Sequence, residues 1–146
     1  MFIIVKNYDR ISAGGLVINN NNEFLLIQRK GKWDLPKGRL ETNENLLETA
    51  KREISEETGL EEKFLNLISK LDPTVYTKKQ QLRQANWFLF RYEDANAYLF
   101  PQTSEGITMC KWVSQDLIPY YFSNMRNYSK KVLLEYNRLY TQKLAI

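Results

Sequence analysis

Residues 41–62 carry eight acidic and two basic side chains, yet their pattern is that of an amphipathic helix. Asn45 stands at an N-cap position, and Glu48, three residues on, fits the partner of a capping box. Gly59 supplies a C-terminal stop, so the spacing predicts a helix over 46–58. Leu46, Leu47, Ala50 and Ile54 fall on one face, which must be covered, and a sheet is the expected partner. Glu53, Glu56 and Glu57 sit at i, i+3 and i+4, within about 100° of arc and beside that apolar stripe. Like charges at this spacing oppose helix formation, so the three carboxylates need a counter-charge. Arg52 supplies one unit; a divalent cation supplies two, and hard oxygen donors suit Mg²⁺ or Mn²⁺. An exposed acidic helix is the other reading of the same residues.

The rest of the chain is punctuated into strands. Residues 11–18 and 23–28 read as a hairpin about the turn Asn19-Asn20-Asn21-Asn22. Residues 32–38, broken by Pro36 and Gly38, read as irregular backbone. Further strands are expected over 64–71, 75–77, 83–92 and 107–113, with one helical turn over 114–117. Met125, Tyr128, Val132, Tyr136 and Leu139 recur at helical spacing, which predicts a long amphipathic helix over 124–143. Strands, helix, strands, helix is the order of an α/β or α+β layered domain with a mixed sheet. A length of 146 residues suits one domain, here taken as 1–146.

Composition removes several chemistries. There is no His, so Ser-His and Cys-His pairs and His-liganded zinc are excluded. The single Cys110 lies in an apolar stretch and reads as a buried, inert thiol. No apolar run approaches the ~18 residues of a membrane span, and the Phe2-Ile3-Ile4-Val5 start is too short for a signal-peptide core. The expectation is a cytoplasmic protein without membrane association. Charge is uneven along the chain: residues 29–39 hold five basic side chains and one acid, and the acidic helix follows directly. A basic strip beside a carboxylate array suits a polyanionic ligand bridged to carboxylates by cations.

From Gly38 the chain reads Gly, five residues, Glu44, seven residues, then Arg52-Glu53-Ile54-Ser55-Glu56-Glu57-Thr58-Gly59-Leu60. This resembles the Nudix hydrolase signature, and all nine specified positions match across residues 38–60. The similarity extends over about residues 10–118, through the Trp33-Asp34-Leu35-Pro36-Lys37-Gly38 loop and Lys111-Trp112-Val113. The resemblance implies a Nudix-type α/β/α sandwich with a mixed β-sheet between helices. It also implies a metal-dependent pyrophosphohydrolase in which water attacks phosphorus in a nucleoside diphosphate linked to another group. By the same resemblance Glu53, Glu56 and Glu57 hold the divalent metals, joined by a backbone carbonyl at Lys37 or Gly38. Arg52 orients the glutamates, and Glu44 supports them. The general base varies in this family; Glu105, which precedes the 107–113 strand, is the candidate.

Specificity is less marked. The Pro36-Lys37-Gly38 segment looks like that of dinucleoside polyphosphate and diphosphoinositol polyphosphate hydrolases. Tyr76 stands near where the former carry a base-stacking tyrosine, and a core or edge tyrosine is an equal alternative. Arg29, Lys37, Arg39 and Arg83 are candidates for phosphate contacts. The expected partner is a small nucleotide or polyphosphate, with a dinucleoside polyphosphate foremost and a homodimer allowed. Alternatives are a sanitising nucleoside triphosphate pyrophosphohydrolase, an RNA-end pyrophosphohydrolase, and a non-catalytic Nudix-fold regulator. No RNA-binding module is recognisable, so no specific nucleic-acid partner is expected.

Overall fold

Two-residue alternation of apolar side chains along the long strands decides how the layers stack. The computed structural model describes residues 7–94 and 96–141. Its strands are β1 (Arg10–Asn19), β2 (Glu23–Arg29), β3 (Lys32–Asp34), β4 (Lys37–Arg39), β5 (Leu65–Lys70), β6 (Thr74–Lys78), β7 (Gln81–Tyr92) and β8 (Ile107–Ser114). Its α-helices are α1 (Leu46–Thr58) and α2 (Asn127–Tyr140). On one face Ala13 and Val17 of β1, Leu25 of β2, and Phe88 and Phe90 of β7 pack with Ala50 and Ile54 of α1. On the other face Leu16 and Ile18, Leu26, Trp87 and Leu89 pack with Val132 and Leu133 of α2. Odd and even positions of each strand thus serve opposite helices, and the result is the α/β/α sandwich. The sheet is mixed: β1 and β7 run parallel from Arg10↔Arg83 to Asn19↔Tyr92, and the remaining pairings are antiparallel.

Residues 32–38, expected to be irregular, contain two short strands. β3 pairs with β2, and β4 pairs with β1 through Ser12↔Arg39, Ala13↔Gly38 and Gly14↔Lys37. These ladders satisfy backbone groups that an isolated Pro-Gly segment would leave to water. Pro36 lies between the strands, and its carbonyl accepts from the Gly15 N–H at 3.1 Å. The expected hairpin is correspondingly splayed. β1 and β2 are in register at Ile18↔Phe24, beside the turn; farther along, β1 faces β4 while β2 faces β3 and β8.

The C-terminal helix starts later than its apolar period indicates. The expected turn over 114–117 is the beginning of a longer 3₁₀ segment, Gln115–Asn124, with Pro119 inside it. Met125 and Arg126 then serve β3 instead of α2: Met125 bridges to Trp33, and the Arg126 N–H donates to the Trp33 carbonyl at 3.0 Å. The expected end at residue 143 lies outside the described residues. No helix among the described residues is long and apolar enough to cross a membrane.

The seat of β4 on β1 depends on Gly14. A Cβ there would lie 2.1 Å from the Pro36 carbonyl oxygen and 2.7 Å from Lys37 Cα. Backbone atoms cannot swing aside, so Gly14→Ala is expected to lose about 3 kcal/mol of stability in urea unfolding. An unchanged midpoint would mean that the loop is not seated on β1 in this way.

Candidate active site

α1 has the boundaries its caps predict. The Asn45 side-chain oxygen accepts from the Glu48 N–H at 2.8 Å, and Gly59, at φ 82°, donates to the Ser55 carbonyl at 2.9 Å. The reciprocal half of the capping box differs: Glu48 accepts from the Asn45 side-chain amide at 2.8 Å. With Ala50 and Ile54 buried on the sheet, Glu53 and Glu57 are turned toward β4. Glu57 is only 3% exposed, and one of its oxygens accepts from the Lys37 N–H at 3.1 Å. A Cβ on Gly38 would lie 2.0 Å from the Glu53 carboxyl carbon. Glycine at position 38 therefore makes room for a carboxylate against the strand, where sequence reasoning assigned it to loop geometry alone.

Arg52 gathers the acids. Its Nε and Nη2 grip Glu44 at 2.6 and 2.9 Å in a bidentate pair, and Nη1 reaches Glu53 at 2.9 Å and Glu56 at 3.2 Å. Nη2 also donates to the Arg39 carbonyl at 3.1 Å. The Arg52 hydrogen bonds hold the Glu44 carboxyl at about 2, against burial, with Thr49 and the Glu41 N–H assisting. Burial raises the Glu53 carboxyl, an effect opposed by Arg52. Burial pushes Glu57 up to about 8, although Arg29 pulls the other way through a 2.5 Å ion pair. Cys110 is half-buried and its thiol is pushed up to about 12 by burial, so it is not a thiolate at neutral pH.

These groups line a cavity of about 470 Å³ with two chemically opposite walls. Glu41, Glu53, Glu56, Glu57 and Glu105 supply acid; Arg10, Arg29, Lys37, Arg39 and Arg52 supply base. The structure thus brings together Arg29, Lys37, Gly38, Arg39, Arg52, Glu53, Glu56, Glu57 and Glu105. Tyr76 lines a neighbouring cavity of about 320 Å³, which Lys37 shares, and its ring stacks on Tyr128 at 4.8 Å. Arg83 lines neither cavity: it is 6% exposed and donates to the Gln81 side chain at 2.8 Å. It lies in register with Arg10, whose guanidinium is pulled down by burial and then by Arg83 and Arg39. Arg10, Ser12 and Gln102 are cavity residues that sequence reasoning missed. They sit at a strand start and in a loop, and only the parallel β1–β7 pairing and the 3₁₀ turn at Thr103–Glu105 bring them to the site.

The oxygen donors suit a hard divalent cation. Among the described residues no three acidic side chains converge on one point as they stand. Glu57 is turned onto Arg29 and the Lys37 N–H, and Glu53 and Glu56 onto Arg52. A buried Glu57 raised to about 8 in spite of Arg29 is nevertheless an anion short of positive charge, and a cation at this wall would supply it.

The NUDIX domain family model matches residues 9–135. The chain belongs to the Nudix family. An RNA pyrophosphohydrolase of Erythrobacter litoralis is 26% identical over 129 residues, covering 75% of this chain and 79% of that protein. A bis(5′-nucleosyl)-tetraphosphatase (asymmetrical) of Mus musculus is 37% identical over 82 residues, covering 53% and 56%. A C. elegans Ap4A hydrolase binary complex shares the Nudix fold with a TM-score of 0.75 at 18% identity, covering 89% of this chain and 96% of that one. Several Arabidopsis thaliana Nudix hydrolases also match, and the chain spans only 18% to 38% of their length.

The Glu44–Arg52 pair of this Nudix motif gives a pH-dependent expectation. Glu44 is held below its ordinary value near 4.5, so its contribution is complete above that value and disappears as pH falls toward about 2. Glu44→Gln is therefore expected to lose about 1–2 kcal/mol at pH 7, with the deficit shrinking below pH 4.5. Urea unfolding of both proteins at pH 7, 4 and 2.5 checks this; a deficit independent of pH would contradict it.

Proposed function

We propose that this chain is a metal-dependent pyrophosphohydrolase that cleaves a diphosphate linkage in a nucleoside diphosphate joined to a second group. The observation that carries this reading is the single cavity in which Glu53, Glu56 and Glu57 face Arg10, Arg29 and Arg39. Glu53, Glu56 and Glu57, with the carbonyl of Lys37 or Gly38, would hold Mg²⁺ or Mn²⁺. Bound there, the metal neutralises diphosphate charge and favours attack by water at phosphorus.

The chain's own groups divide the remaining work. Arg52 holds Glu53 and Glu56, and Glu44 fixes Arg52 from behind. Arg10 and Arg29 each have a buried Nε without a partner among the described residues, which fits them to take phosphate oxygens. Glu105 is exposed at the cavity edge and is the candidate to accept a proton from the attacking water. No protein nucleophile is needed: the chain has no His, and Cys110 stays protonated.

For the substrate we favour a dinucleoside polyphosphate over a plain nucleoside triphosphate. Support comes from the Pro36-Lys37-Gly38 segment, from Tyr76 in the adjoining cavity, and from the 37% identity with the mouse tetraphosphatase. A second reading, removal of pyrophosphate from RNA ends, draws on the Erythrobacter RNA pyrophosphohydrolase, whose similarity extends over most of both chains.

Two measurements follow. In Mg²⁺, Glu53→Gln and Glu57→Gln are each expected to lower kcat/KM for diphosphate hydrolysis by about 10²–10³-fold. Retained turnover in both variants, or turnover by the wild type in excess EDTA, would overturn the metal-dependent reading. Tyr76→Ala is expected to lower efficiency on diadenosine tetraphosphate by about tenfold, the scale of one aromatic–base contact, and to leave a diphosphoinositol polyphosphate nearly unaffected. Equal loss on both would remove base stacking from Tyr76, and strong preference for an 8-oxo-purine triphosphate would replace the dinucleotide reading.

A further inference from the structure

The cavity beside the active site is lined by five cations and no acid: Lys32, Lys37, Lys78, Arg126 and Lys131. They come from β3, β4, β6 and α2 with the residue preceding it, so the fold gathers them from distant parts of the sequence. Among the described residues none of the five makes an ion pair. The crowding has an electrostatic consequence. The Lys78 ammonium is pulled below its ordinary value by burial and then by Arg126, Lys37, Arg83 and Lys30. α2 begins at the same place with no acidic residue in its first turn, and a cation, Arg126, occupies its N-cap without a side-chain cap bond. Acidic or small polar residues are the ones favoured there. Asp34 is the nearby acid, and it offers no free counter-charge. It is buried, with its oxygens taken by the Leu35 N–H at 2.8 Å, the Ser129 hydroxyl at 2.8 Å and the Tyr128 hydroxyl at 2.7 Å.

Lys37 couples this cavity to the catalytic one. Its backbone N–H donates to Glu57, while its ammonium lies 4.9 Å from the Tyr128 ring centre and 5.7 Å from that of Tyr76. A ligand that spans the two cavities passes along this one residue. The stacked Tyr76–Tyr128 pair forms an aromatic wall next to the cations. Cations beside an aromatic wall suit a phosphate attached to a planar group, which is a nucleotide.

We infer that this cavity is a second anion subsite, which holds a phosphate of the substrate outside the diphosphate that is cleaved, as part of a second nucleotide unit. Its role in catalysis rests on the proposed hydrolase reading; its capacity to bind phosphate does not. Two sources share this chemistry: the distal half of a dinucleoside polyphosphate, and the nucleotide that follows a triphosphorylated RNA end.

The test begins with inorganic tripolyphosphate, without metal, titrated into ¹⁵N-labelled protein. Amide shifts are expected at Lys32, Tyr76 and Arg126 as well as in the catalytic cavity. Lys32→Gln/Lys131→Gln, two exposed positions, should bind tripolyphosphate about tenfold more weakly, the equivalent of one charge-assisted contact. Lys51→Gln/Lys70→Gln removes the same charge from residues that line neither cavity and should bind as the wild type does. Shifts confined to the catalytic cavity, or equal weakening in the two double variants, would overturn the subsite. The kcat/KM of Lys32→Gln/Lys131→Gln on diadenosine tetraphosphate and on a short triphosphorylated RNA then distinguishes the sources. Loss on one substrate identifies it, and loss on neither overturns the inference. Tripolyphosphate binding with no hydrolysis of any diphosphate would sink the hydrolase reading and leave the subsite standing.

Discussion

The organisation of the molecule turns on how closely the Lys37–Gly38 backbone lies between β1 and α1. On one side Gly14 leaves no room for a Cβ against Pro36 and Lys37; on the other, Gly38 leaves none against the Glu53 carboxylate. The Lys37 N–H is spent on Glu57. One short strand therefore sets the position of two motif glutamates relative to the sheet and sends the Lys37 side chain into the neighbouring cavity. α1 can take this place because Ala50 and Ile54 dock on the face made by Ala13, Val17, Leu25, Phe88 and Phe90. Loosening that packing would release the carboxylates from β4 before it disrupted α1 itself.

Electrostatics supply the second layer of order. Arg52 is one cation shared among Glu44, Glu53 and Glu56, which lets three acids stand along one edge of a helix without scattering. Glu57 is buried and has Arg29 as its partner, yet its carboxyl remains raised, because one guanidinium does not offset both burial and the nearby Glu53 charge. The opposite wall is poor in acids of its own: Arg10, Arg39 and Arg83 crowd one another at the ends of β1, β4 and β7. A polyanion bridged by divalent cations would relieve both walls together. This complementarity is why the proposed reaction fits the cavity better than a simple anion-binding role does.

The helix that carries the motif was legible to the residue, since capping and a glycine stop act locally: Asn45, Glu48 and Gly59 act within one turn of the ends they define. The strand periods were legible for the same reason. Pairing decided what remained hidden. β3 and β4 are three residues each and exist because β2 and β1 offer them hydrogen-bonding edges, a fact absent from the 32–38 segment itself. The start of α2 was misread because the backbone at Met125 and Arg126 is claimed by Trp33, more than ninety positions away. The site shows the same division. Its acids lie within one helix and a motif, whereas Arg10, Gln102 and the cations at Lys78, Arg126 and Lys131 converge only through long-range contacts. Arg83, placed with the phosphate ligands by its charge, lies instead in register with Arg10, outside the lining of either cavity.

The most direct test of the proposed metal-dependent chemistry is a crystal structure of the protein soaked with Mn²⁺, with the ion located by its anomalous scattering. The predicted result is a peak in the main cavity between Glu53, Glu56 and Glu57 and close to the Lys37–Gly38 backbone, with the Glu57 carboxylate turned from Arg29 toward the ion. A structure with all three carboxylates ordered, Arg29 still paired with Glu57, and Mn²⁺ absent from that cavity or bound elsewhere would contradict it.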